Sequence, residues 1–306
     1  MLRTRIILGT LFGLALIALL YLDGHLSAHW PSAAWSIPPG LLVLLAIVCI
    51  IPPAVQEMYD LLLKEDVVIS RRVCVVSAIL CVAWPYFELL SDMKGARPAG
   101  ASKVLLAVLD WFHTVKPHYL VPTVLAASLV GAFVMHSRSE KVHGAMASAG
   151  GSLLAIVYLG VLPSFYLPIR LSHSADMIIT ILLVVKSADI GAFFVGRLMG
   201  RHKLIVWLSP GKTVEGFLGG IAMSTLVCML LAHLVHGFSW EQGAVAGALL
   251  GAVGQFGDLV ESLLKRDAGV KDSGRVPGFG GLLDMLDSPL LAAPVAYWIL
   301  KLAGKA

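Results

Sequence analysis

Charge is what this sequence has least of. Only 14% of its 306 residues are Asp, Glu, Lys or Arg, whereas water-soluble domains carry about 25%. A surface that poor in charge cannot face water all round, so soluble enzymes and soluble binding modules are excluded. Paired cysteines are missing too. Cys49, Cys74, Cys81 and Cys228 are the full complement, all within apolar runs and none in C-x-x-C spacing, so they read as small buried hydrophobes rather than a disulfide frame or a zinc site. The formal net charge of +4 is modest, and its positive residues cluster in particular loops as membrane topology requires, so nucleic acid is not an expected partner. In place of charge there is hydrocarbon: 58% of the residues are hydrophobic.

The apolar residues come in runs that match the hydrocarbon thickness of a bilayer, about 30 Å or roughly 17–25 helical residues. About nine such runs are present, at 6–22, 41–55, 73–90, 119–135, 151–167, 177–195, 216–235, 243–264 and 282–302. Residues 104–115 form a shorter run containing Asp110 and His113 and read as an interfacial or re-entrant piece. The opening Met-Leu-Arg-Thr-Arg lacks a convincing small-x-small cleavage site after it, which favours a retained first helix over a signal peptide. The expected fold class is therefore all-α, a polytopic integral membrane protein. Residues 1–145 would form N-terminal membrane helices, and residues 146–306 a C-terminal catalytic membrane region with cytoplasmic loops. With nine spans, the loops carrying Lys64, Arg71 and Arg72, then Arg138 and Lys141, then Arg197, Arg201, Lys203 and Lys212, then Lys265, Arg266, Lys271 and Arg275 all share a side with Arg3 and Arg5. The positive-inside rule makes that side cytoplasmic. Lys94, Arg97 and Lys103 fall on the other side, against the trend.

The second half of the chain carries charge where lipid should be. Ten charged side chains lie between Asp258 and Asp287. Ionisable groups at membrane depth cost about 2.5–3.5 kcal/mol each on insertion scales, so they persist mainly where they pair, line a wet cavity or bind something. On a continuous helix Asp258, Glu261, Ser262 and Lys265 occupy one stripe, at i, i+3, i+4 and i+7. Asp284 and Asp287 share a face of the next helix. Between them runs a Gly- and Pro-rich connection able to bring backbone N–H groups to an anion. Such acid-bearing helix ends around a basic loop suit a divalent cation with polyphosphate above it, Asp258 and Asp284 being the first choice of ligands and Asp189 and Asp287 further candidates. Solvated loop ion pairs are the plainer reading for Lys271, Asp272 and Arg275.

A second constellation precedes this one. Lys186 and Asp189 interrupt an apolar span, and a basic loop follows, ending Ser209-Pro-Gly-Lys212-Thr213. The ending looks like a Walker loop, but the pattern needs glycine where Val206 stands, so the match fails. Lys212 can still offer a point charge to phosphate beside Glu215 and the next helix start. A positive-inside loop with a Ser-Pro helix start is the plainer reading. His233 and His236 lie at the far end of that helix and read as packing residues.

Taken together, Ser262-Leu-Leu-Lys265-Arg266, Lys271-Asp272-Ser273, Pro277-Gly278, Gly280-Gly281, Asp284 and Asp287 resemble the signature of the phosphatidate cytidylyltransferase (CDP-diacylglycerol synthase) family. Asp189-Ile-Gly191, Gly196-Arg197, Ser209-Pro-Gly-Lys212-Thr213 and Glu215-Gly216 resemble its other shared block. Phe279 stands where many members have His and Met285 where many have Arg, and the Ser273–Pro277 loop is one residue shorter. The resemblance implies transfer of CMP from CTP to phosphatidic acid in a bacterial inner membrane, with Mg2+ and a monovalent cation such as K+ as cofactors. It makes Asp258, Asp284, Lys265, Arg266, Lys271 and Asp272 candidate catalytic residues. Arg197, Ser209, Lys212, Thr213, Glu215, Ser262, Gly280 and Gly281 are candidate substrate-binding residues. Lys265, Arg266, Lys271 and Lys212 would stabilise the departing pyrophosphate. CTP, phosphatidic acid, the bilayer and a second copy in a homodimer are the expected partners. Transfer to another lipid phosphate, and secondary transport, are the competing readings; transporters place substrate near the midplane between repeats, whereas here the charges crowd one face.

Overall fold

A computed structural model describes residues 2–30, 37–92, 103–115, 119–138, 142–271, 273–274 and 281–304. Helix dominates: α1 (Leu2–Ser27), α2 (Leu41–Lys64), α3 (Arg71–Asp92), α4 (Lys103–Val115), α5 (Leu120–Ser137) and α6 (Ala145–Ile156), then a π-helical turn (Val157–Val161) leading into α7 (Leu162–Ser164) and α8 (Tyr166–Ser172), and α9 (Ala175–Met199). After a two-stranded ribbon, β1 (Lys203–Ile205) and β2 (Ser209–Thr213), come α10 (Val214–His236), α11 (Trp240–Asp267) and α12 (Leu283–Leu302). Eight helical stretches among the described residues are long and apolar enough to cross a bilayer, the one at Ala145–Ser172 running through the π turn. They coincide with eight of the nine runs expected above. The first run falls in α1, whose apolar described part is Gly13–Ser27. The chain is an all-α integral membrane protein. At 13 residues, or about 20 Å, α4 is too short to cross. Large apolar side chains stand on the outside, among them Leu14, Val130, Phe193, Leu226 and Val245, as hydrocarbon-facing surfaces require. Cys74, Cys81 and Cys228 are buried as expected, but Cys49 is exposed on α2, since its helix turns that face outward.

The chain divides into two compact units: Ile6–Ala175, and Asp176–Ala306 with the first five residues. Inside the first, the end of α1 is tied to the start of α2 by Asp23. Its carboxylate accepts from the N–H groups of Gly40 (3.1 Å) and Leu42 (3.0 Å), which an incoming helix leaves without partners. Arg170 completes the knot, donating from Nε to Asp23 at 2.7 Å and from its other nitrogens to Ser27 Oγ and the His173 carbonyl. Asp23 is fully buried and Arg170 nearly so. Trp84 on α3 packs against Trp111 and Phe112, seating α4.

In the second unit small residues decide how closely the helices approach. Gly243, Gly247 and Gly251 repeat every four residues along one face of α11, where added Cβ atoms would run into Met229, Thr225 and Ser224 of α10. Ser224 donates across that seam to the Gly247 carbonyl at 3.0 Å, and Gln255 donates to the Phe217 carbonyl at 3.1 Å. These interhelical hydrogen bonds between close backbones are the means by which membrane helices associate without a hydrophobic driving force. Toward α12, Gly257 lies against backbone: a Cβ there would sit 2.5 Å from the Asp287 carbonyl oxygen. His233 stacks on Trp240 and meets the Phe238 carbonyl, while His236 meets Thr180. Both are packing groups.

Candidate active site

All the candidate residues belong to the second unit, and the close α11–α12 contact positions its acids. The two helices run antiparallel, because rising numbers on α11 meet falling ones on α12: Gly254 faces Ser288, Gly257 faces Asp287 and Lys265 reaches Asp284. That register puts Asp258 level with Asp287. The structure brings carboxylate oxygens of Asp258, Glu261 and Asp287 all within 4.8 Å of one another, with Glu261 and Asp287 buried. Asp284 stands one turn nearer the loop and outside this group. It is held by Lys265 at one oxygen and by the Ser273 N–H (3.1 Å) and hydroxyl (2.9 Å) at the other. Of the four acids expected to bind metal, Asp258 and Asp287 are therefore in the three-carboxylate group. Glu261 joins them, a residue noted on the α11 stripe but not chosen there.

Three lysines from three elements meet the acids. Lys212, at the end of β2, pairs with Asp258 at 2.7 Å. Lys186, on α9, pairs with Asp189 at 3.2 Å and approaches Asp287 at 3.9 Å. Lys265, on α11, contacts both Glu261 and Asp284 and is aimed at the latter. Neither Glu261 oxygen accepts a well-aligned hydrogen bond among the described residues, although the side chain is buried. Carboxylates outnumber ammonium groups in this patch five to three, an excess of acid that favours a cation. Three hard oxygen donors in one place, two of them on buried side chains, fit magnesium.

The ribbon differs from the loop with a Ser-Pro helix start that is the plainer of the two readings of this segment. Residues 203–213 pair antiparallel, Lys203 opposite Thr213 and Ile205 opposite Ser209, and the helix begins after Thr213, whose hydroxyl accepts from the Gly216 N–H at 3.1 Å. Pro210 lacks an N–H and ends helix formation upstream, while Thr213 is an effective N-cap. Glu215 is engaged by the ribbon itself, accepting from the N–H groups of Arg201 and His202 and pairing with the His202 ring at 2.6 Å. Ser209 is half-buried and Thr213 buried. Arg266 fastens the end of α11 to this ribbon, donating to the Leu208 carbonyl at 3.5 Å and to that of Val270 at 3.0 Å. Arg197 and Lys271 are exposed, Ser262 is half-buried and Gly281 is buried. Asp272 and Gly280 lie outside the described residues.

Comparison with known proteins places this arrangement. The sequence profile of the cytidylyltransferase family matches residues 4–303. A phosphatidate cytidylyltransferase of Synechocystis sp. is 35% identical over 249 residues, 71% of this chain and 83% of that protein. Phosphatidate cytidylyltransferases of Staphylococcus aureus and Staphylococcus epidermidis are 40% and 43% identical over 146 residues, 47% of this chain and 55% of theirs. With the profile spanning nearly every residue and both halves of the site falling inside it, the chain belongs to the cytidylyltransferase family.

Proposed function

We propose that the chain transfers CMP from CTP to phosphatidic acid, forming CDP-diacylglycerol and pyrophosphate. The observation that carries the reading is the group formed by Asp258, Glu261 and Asp287, ringed by Lys186, Lys212 and Lys265, inside the membrane helices of a family member whose relatives are named for this reaction. A phosphate oxygen of phosphatidic acid attacks the α-phosphorus of CTP. The new P–O bond forms as the bond from that phosphorus to the β-phosphate bridging oxygen breaks, and pyrophosphate leaves with the electron pair. The attacking phosphate is already ionised near neutral pH, so no side-chain nucleophile or dedicated base is required.

Asp258, Glu261 and Asp287 would hold magnesium, which would supply charge neutralisation at phosphate oxygens. Lys212 would be the ribbon's cation for the nucleotide triphosphate, and exposed Lys271 would meet the leaving pyrophosphate. Lys265 is committed to Glu261 and Asp284 and fixes the helix ends rather than reaching outward. The basic ribbon and the α11–α12 connection support a cytoplasmic face in an inner membrane; accessibility of single cysteines placed at residue 203 or 271 in sealed vesicles tests it. A monovalent cation such as K+ and a homodimer are further expectations, tested by K+ dependence and by particle mass in native membranes. The decisive assay is pyrophosphate release by purified protein given magnesium, CTP and phosphatidic acid. None would end the proposal, and preference for an isoprenoid phosphate in competition would redirect it.

A further inference from the structure

The geometry points to Lys186 as the residue that takes the phosphate of the lipid substrate from the hydrocarbon side. This rests on the transfer reaction proposed above and adds which side chain receives the lipid. Lys186 lies near the middle of the 25-residue apolar helix α9, a costly place for an ammonium group. Asp189 and Asp287 hold it toward the acids, yet 45% of its side chain stays exposed, against 26% for Lys212 and 12% for Lys265. An ammonium has three N–H donors. One is given to Asp189 at 3.2 Å, and Asp287 at 3.9 Å is beyond a hydrogen bond. Donors are therefore left over at Lys186, and of the three lysines its side chain is the most open to an incoming ligand.

The direction of access separates it from Lys212. Around Lys186, the outward face of α9 carries Leu183, Ile190, Phe193 and Phe194 at i−3, i+4, i+7 and i+8, all exposed. These positions form one helical stripe, so the ammonium is approached along an apolar surface. A free nucleotide gains nothing from that route. A phosphomonoester attached to acyl chains does, because its chains remain in hydrocarbon while its phosphate meets a cation beside Asp287. Lys212 is reached instead from the ribbon, beside exposed Arg201, His202 and Lys203. The acids are thus flanked by one lysine on the apolar face of α9 and another carried by the basic ribbon, as an in-line exchange between a lipid and a water-borne substrate requires.

The test uses the full-length protein in neutral detergent. Lys186→Gln is expected to raise KM for phosphatidic acid about 10- to 100-fold, the range for a lost hydrogen bond between charged partners, with KM for CTP within about twofold. Lys186→Arg should recover most of the loss. Calorimetry with dioctanoyl phosphatidic acid, without nucleotide, should detect binding to the wild type and none to Lys186→Gln, while dioctanoylglycerol should bind neither. Should Lys186→Gln not remain monodisperse, acylation of Lys186 in the wild type is followed by mass spectrometry: the short-chain phosphatidic acid should protect it, and CTP should not. Unchanged lipid KM and binding, a shift in CTP KM instead, or no protection would overturn the assignment. Phosphatidic acid binding through Lys186 in a wild type that releases no pyrophosphate would keep the assignment and sink the proposed reaction.

Discussion

Replacing Gly257 by Ala adds one methyl group at the point where α11 lies on the backbone of α12. The new Cβ would be 2.5 Å from the Asp287 carbonyl oxygen and 3.0 Å from Ser288 Cα. Ordinary contact begins near 3.4 Å, and both obstructing atoms are backbone, so the helices must part by about 0.9 Å or one must rotate, since close-packed interiors offer no slack. Asp258 and Glu261 ride on one helix and Asp287 on the other, so Asp287 moves away from the other two by about that amount. Reactive groups need placement within about 0.5 Å, and a 1 Å error costs about 100-fold. The expected result is a fall of about 100-fold in kcat for pyrophosphate release, with helix content by circular dichroism unchanged. Stability should fall by no more than about 2 kcal/mol, because overpacking of about 1–3 kcal/mol is partly offset by the roughly 1 kcal/mol helix preference of Ala over Gly. Gly150→Ala is the control, because its Cβ would meet nothing within 4 Å. A Gly257→Ala enzyme with wild-type kcat would refute the claim that this contact sets the acid cluster.

Asp258→Asn and Asp287→Asn should each lower turnover by about 100-fold or more while the protein stays membrane-integrated, and Mn2+ binding followed by electron paramagnetic resonance should weaken in step; full activity in both would remove the metal assignment. Chelation with EDTA should abolish pyrophosphate release and added magnesium should restore it, so persistence of activity in EDTA would count against a divalent ion. Lys212→Ala should raise KM for CTP about 10-fold or more and leave KM for phosphatidic acid unchanged; the opposite pattern would exchange the two lysines' roles. Arg170→Ala, which strands a buried Asp23, should cost about 3–5 kcal/mol, visible as a lower melting temperature in detergent, whereas an unshifted transition would show that the pair contributes nothing.

The membrane class and eight of the nine expected spans were legible because a crossing helix must be apolar along its length, a constraint any window of sequence reveals. The second half's acids and lysines stood out for the complementary reason, as charges in hydrocarbon. Pairing was not legible. The spacing of Asp284 and Asp287 says that they share a face, but not which of them is level with Asp258; the answer depends on the antiparallel register set by Gly257 and Ser288, and a glycine in a sequence does not name its neighbour. Glu261 was passed over for the same reason, although its place between Asp258 and Lys265 was visible. The ribbon at 203–213 has no two-residue alternation of apolar and polar residues to announce it. Arg170 and Asp23 are isolated polar residues 147 positions apart, with no motif to join them.

That separation matters during synthesis. Asp23 emerges early, and its guanidinium partner is translated 147 residues later, roughly 7 to 30 s at about 5–20 residues per second. For that interval the carboxylate has no arginine, so the first helix cannot settle into its finished seat and depends on water or the insertion machinery. Lesions at this knot belong to biogenesis as much as to the mature enzyme: the yield of inserted protein in pulse-labelled cells will register them before any catalytic constant does.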